Sequence, residues 1–128
     1  MIAVDTSVWV AARRNPGGVV ASALSSLLDA DEVVLPLPVR LELWAGTANA
    51  DRKRFRRAFS ALPLLVPTED TWSPLEDWIA RAADKGHRFA LTDLLIARLA
   101  DEVGAMVWSL DKDFGRLETL SLVRLYSA

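Results

Sequence analysis

The sequence contains no cysteine. That excludes disulfides, zinc–thiolate centres and a thiol nucleophile, and it suits a reducing cytosol, so a cytoplasmic protein is expected. Histidine is nearly absent too. His87 is the only one, and nothing in the sequence marks a serine to complete a Ser-His-Asp triad with it; it reads as a surface loop residue in a segment leading to Asp93. The Gly-x₄-Gly-Lys-Ser/Thr phosphate loop is missing, so "NPGG" (Asn15–Gly18) is a turn. There is no run of about 18 apolar residues, so no transmembrane helix and no membrane partner are expected. The start "MIAVDTSVW" lacks a charged region followed by an apolar stretch, so no signal peptide is expected either. Nor is positive charge in excess: 15 basic and 17 acidic side chains leave a net charge of −2, which rules out a globally basic nucleic-acid coat.

What is present is core material and acid. The 128 residues are 52% apolar, enough for one buried core, and show no linker, repeat or low-complexity stretch, so residues 1–128 read as one domain. Short apolar runs alternate with helical spacing. "MIAV", "EVVLP", "PLLVP", "AMVWSL" and "LSLVRLY" read as five strands. Between them lie helices such as "PVRLELWAGTAN", "DRKRFRRAFSAL" and "LTDLLIARLADEVG", with Gly86 and Gly104 as stops. A break is expected near Pro74. Alternation of this kind gives an α/β fold, and unbroken apolar strands belong to a mostly parallel sheet buried on both faces.

Ligands of open parallel sheets bind beyond the carboxyl ends of the strands. Asp5 follows the first run and Asp111 follows "AMVW". Two more acids fall on apolar helical faces. Asp93 shares a stripe with Ile96, Ala97 and Ala100, while Arg98, Asp101 and Glu102 form the opposite, polar face. Glu42 shares a face with Val39, Ala45 and Gly46. Each acid alone has a plain alternative: Asp5 as a helix cap, Asp93 as a first-turn residue favoured by the helix dipole, Asp111 and Asp113 as a polar turn. Together they fit one crevice. Two charges about 4 Å apart repel by roughly 4 kcal/mol at an effective dielectric of 20. Such a cluster therefore needs raised pKa values or a divalent cation, and an all-oxygen set suits Mg²⁺ or Mn²⁺. Metal-assisted phosphodiester hydrolysis is the chemistry such a site performs.

The segments "VDTSVW", "RLELWAG", "LTDLLIARLA" and "SLDKDFGRL" resemble, in order and spacing, the signature of PIN-domain ribonucleases. Within that family the chain is similar to the VapC-like toxins of type II toxin–antitoxin systems. The resemblance implies a three-layer α/β/α sandwich, a Mg²⁺- or Mn²⁺-dependent endoribonuclease, a cognate antitoxin that blocks the site, and commonly a homodimer. By position it assigns Asp5, Glu42, Asp93 and Asp111 as the main acids and Asp113 as a more variable fifth. Thr6 or Ser7 matches the small hydroxyl after the first acid, and Ser109 stands where Thr is usual. Asp5, Asp93, Asp111 and Asp113 are then the metal ligands, with Glu42 a ligand or water-orienting base. "DRKRFRRAF" offers Arg52 and Arg56 on one helical face, readable as a phosphate-tracking surface or as a solvated one. The alternatives are a catalytically degenerate PIN-like module that binds RNA or protein, and a phosphorylation-receiver domain. The receiver reading is disfavoured because it wants an acidic pair after strand one and a lysine after strand five.

Overall fold

The computed structural model describes residues 1–128. Four parallel strands form the sheet: β1 (Ile2–Val4), β2 (Val33–Pro36), β3 (Leu64–Leu65) and β4 (Met106–Trp108), in the order β3-β2-β1-β4. Eight helices connect or flank them: α1 (Thr6–Arg14), α2 (Val19–Asp29), α3 (Leu37–Ala45), α4 (Arg52–Phe59), α5 (Glu69–Trp72), α6 (Leu75–Asp84), α7 (Leu91–Glu102) and α8 (Lys112–Thr119). A short 3-10 turn, Asn49–Asp51, precedes α4. The expected break near Pro74 separates α5 from α6. Gly86 and Gly104 follow α6 and α7 at φ of +77° and +68°, conformations a side chain rarely adopts.

Strand alternation sends successive side chains to opposite faces, which makes three layers. Ile2, Val4, Val33 and Trp108 pack with Val8 and Leu24 on the α1–α2 side. Ala3, Val34 and Val107 pack on the other side with Val39, Leu94, Ala97 and Phe114. Strands buried on both faces need an apolar residue at every position, and β1 and β2 are buried throughout.

The fifth expected strand forms only an isolated bridge, Val107 to Leu125. Val107 donates to the Arg124 carbonyl and Tyr126 donates back to the Val107 carbonyl, both at 2.8 Å. Upstream, Ser121 turns the chain at φ +59° and Leu122 and Val123 are buried in the core. The apolar half of "LSLVRLY" thus serves core filling instead of extending the ladder. The sheet is four-stranded, and the α/β/α sandwich is otherwise as read from the sequence.

Candidate active site

The sheet register builds the site. Val4 lies beside Trp108 across the β1–β4 pair, so the next residues, Asp5 and Ser109, leave the sheet side by side. The Asp5 amide donates to the Trp108 carbonyl at 2.9 Å, carrying the pairing one step further. Ser109 Oγ donates to Asp5 Oδ2 at 2.8 Å, and Ser7 Oγ donates to the same oxygen at 2.7 Å. Each hydroxyl also accepts a backbone N–H from the segment after β4: Leu110 N on Ser7 at 3.0 Å and Asp111 N on Ser109 at 3.0 Å. Two serines thereby fasten the β4–α8 turn onto the buried Asp5 carboxylate. Of the two hydroxyls after Asp5, Ser7 makes this bond. Thr6 Oγ1 is buried without a hydrogen-bond partner, and its influence falls on the carboxyl of Glu42. Both stand inside α1, with Asp5 at the capping position.

The same turn presents the late acids. Asp111 caps α8: its Oδ1 accepts from the Asp113 amide at 2.9 Å. That leaves the two carboxylates on one turn of chain. Asp93 approaches from the first turn of α7, half-buried, while its stripe partners Ile96, Ala97 and Ala100 are buried as expected. Carboxylate oxygens of Asp93, Asp111 and Asp113 all lie within 4.8 Å of one another. Burial, and after it the charges of Asp5, Asp111, Asp113 and Glu42, raise the Asp93 pKa to about 6.

Glu42 is placed differently from expectation. It sits exposed on α3, at the rim, while Val39 and Leu43 carry that helix's burial. Partial desolvation and the charge of Asp5 nevertheless push its carboxyl above the ordinary value, with the Thr6 hydroxyl acting against them. The charges of the other four acids thus reach Asp93, and that of Asp5 reaches Glu42, but only Asp93, Asp111 and Asp113 converge tightly.

The chemistry of this donor set fits a hard divalent cation. It offers carboxylate oxygen alone, in a place where negative charge is crowded enough to hold a proton on Asp93 up to about pH 6. A bound cation relieves that crowding.

The basic helix does something the sequence did not foretell. Arg52 and Arg56 do share a face of α4, and that face covers Trp44, with guanidinium carbons 5.0 and 4.8 Å from the indole centroid. Trp44 in turn meets Phe55 edge-on, Phe55 stacks on Phe59, and Phe59 meets Trp9 of α1. This aromatic run ties α4 to the two helices that follow Asp5 and carry Glu42. A cavity of about 530 Å³ opens beside it, lined by Trp9, Leu43, Phe55 and Phe59. None of the five acids borders that cavity. His87 stacks against Phe89 in the loop before α7.

Residues 2–120 match the PIN domain family. The chain belongs to that family. Its PIN fold is shared with solved structures of low sequence identity. VapBC2 from Rickettsia felis, bound to a DNA fragment from its promoter, aligns with a TM-score of 0.78 at 18% identity, covering 98% of each chain. FitAB bound to the IR36 DNA fragment gives 0.79 at 21%, covering 98% of this chain and 94% of that one. VapBC-1 from nontypeable Haemophilus influenzae gives 0.73 at 22%, covering 99% and 98%. No curated protein is significantly similar in sequence.

Proposed function

We propose that this PIN domain, acting as a single unit over residues 1–128, is a divalent-metal-dependent endoribonuclease and the toxin of a type II toxin–antitoxin pair. The observation that carries the reading is the convergence of Asp93, Asp111 and Asp113 beyond the carboxyl ends of parallel strands, with Asp5 and Glu42 flanking them. Asp93, Asp111 and Asp113 would hold Mg²⁺ or Mn²⁺, joined by the Asp5 oxygen that the serines leave free. When bound, the ion supplies charge neutralisation and Lewis-acid polarisation of a phosphodiester. The chain supplies the rest. Ser7 and Ser109 fix the Asp5 carboxylate and the Asp111 turn in one orientation. Glu42, exposed and with its raised pKa, would take a proton from an attacking water. Lys53 and Arg57, exposed on α4, offer phosphate contacts that would position RNA without reading its sequence. The VapBC names of the structural neighbours are those of toxin–antitoxin pairs, which supports a cognate antitoxin as partner. A homodimer and a cytoplasmic setting complete the proposal; no helix is long and apolar enough to cross a membrane.

The test is cleavage. Purified protein with RNA and Mg²⁺ is expected to produce new 5′ ends, and Asp5→Asn and EDTA are both expected to remove them. Ends that appear equally with Asp5→Asn would sink the nuclease reading. A folded wild type with no Mg²⁺- or Mn²⁺-dependent cleavage would turn the reading to the non-catalytic binding module.

A further inference from the structure

Arg116, one turn along α8 from Asp113, donates from Nη1 to Asp113 Oδ1. The other two clustered carboxylates, Asp93 and Asp111, have no arginine or lysine on them. A protein cation therefore stands on one wall of the site. Its side chain is 52% exposed, so it can swing into water without disturbing the core. A guanidinium neutralises one carboxylate from outside, whereas a divalent ion placed among three answers all of them and carries twice the charge.

We infer that Arg116 is an exchangeable counter-ion of Asp113, pairing with it when the site holds no divalent cation and yielding it when one binds. The inference rests on the metal-site reading above. Breaking the pair is part of the cost of loading the site, so Arg116 lowers the apparent affinity for the cation. Pairs of this exposure are worth a few tenths to about 1 kcal/mol, which corresponds to about 2–5-fold in binding. The sequence carried a signal for this in "DKDFGR", where the i, i+3 spacing puts an acid and a base on one helical face.

The test is Mn²⁺ titration of the RNA-free protein, followed by the paramagnetic signal of free Mn²⁺. Arg116→Gln is expected to bind Mn²⁺ about 2–5-fold more tightly than wild type. Arg116→Lys, which keeps the charge, is expected to stay near wild type. Arg54→Gln is the control, because Arg54 of α4 also makes an i, i+3 pair, with Asp51 of the preceding 3-10 turn, and its loss changes net charge equally; no tightening is expected there. Equal or weaker binding by Arg116→Gln overturns the inference, as does equal tightening in Arg54→Gln. If wild type binds no Mn²⁺, the metal-site reading itself falls and this inference with it. Normal wild-type binding with an unaltered Arg116→Gln overturns the counter-ion role alone.

Discussion

Asp5 and Asp93 are both recessed carboxylates facing the same crevice, yet the protein treats them in opposite ways. Asp5 is surrounded by donors: two serine hydroxyls share its Oδ2, and those serines also secure the β4–α8 turn. Asp93 receives desolvation and the field of four other acids, with no hydrogen bond to offset them. One acid is organised by the chain itself, and the other is left for something from outside to organise. The difference separates two jobs that the proposed metal site would combine, rigidity of position and appetite for a cation.

The largest expected effect does not distinguish the two acids. Asp5→Asn and Asp93→Asn should each lower Mg²⁺-dependent RNA cleavage by about 10²-fold or more, since each removes charge from the place where transition-state charge must be managed. An Asp93→Asn enzyme that cleaves at the wild-type rate would break the comparison at its functional end.

Next in size is the serine tie. Groups that orient ligands, without being ligands, typically account for about 10–100-fold in metal affinity or activity. Ser7→Ala combined with Ser109→Ala is expected to fall in that range, with the loss concentrated in Mn²⁺ affinity. Ser109→Thr is expected to retain activity, because it keeps the hydroxyl that donates to Asp5. If the double alanine variant binds Mn²⁺ as wild type does, the serines are ornaments of the turn and Asp5 holds its orientation by burial alone.

Much of this contrast is legible in the sequence. Unbroken apolar runs placed Asp5 and Ser109–Asp111 at strand ends, because doubly buried parallel strands admit nothing else. Helical spacing put Asp93 on the same stripe as Ile96, Ala97 and Ala100. Glu42 was harder. Of its stripe mates only Val39 is buried; Ala45 and Gly46 are small residues that burial does not require, and Leu43, next to Glu42 in the chain, turns inward in their place. The choice between Thr6 and Ser7 could not be made from spacing either. It depends on a sheet register that brings Ser7 and Ser109 to 3.3 Å across 102 residues of chain. Helical spacing puts Arg52 and Arg56 on one face, but that face packs on Trp44, a contact between separate helices with no local signature. The C-terminal run "LSLVRLY" looks like a strand by composition, and only packing reveals that Leu122 and Val123 are spent on the core.

Stability should split the two acids by sign. Hydrogen bonds to a charged acceptor are worth about 1.5–3 kcal/mol each in favourable cases. Asp5→Asn keeps an amide oxygen for the serines but loses the charge they were donating to, so a loss of about 1–2 kcal/mol in metal-free urea unfolding is expected. Asp93→Asn removes a repelled charge that nothing was compensating, so it should leave stability unchanged or raise it. Two losses of equal size would show that Asp93 has a stabilising partner after all.

The smallest effect is also the most specific, because it follows from titration. Folded Asp93 titrates near 6, whereas an unfolded aspartate titrates near 4. Between those values the folded state holds the extra proton, so metal-free stability should fall as pH rises through that window and level off above it. Solvent screening at this half-buried carboxyl limits the change to about 1 kcal/mol. Saturating Mg²⁺ should reverse the slope, because the cation binds only the deprotonated acid and so stabilises the fold increasingly from pH 4 to 6. Urea unfolding at several pH values, in EDTA and in Mg²⁺, measures both slopes. Asp93→Asn is expected to make the EDTA curve shallower, leaving the smaller, same-signed contribution of Glu42, whose carboxyl is also raised, and the Asp5 ties untouched. A wild-type EDTA curve that rises through this window would mean that Asp93 is paired in the fold as Asp5 is, and the division of labour between the two acids would be lost.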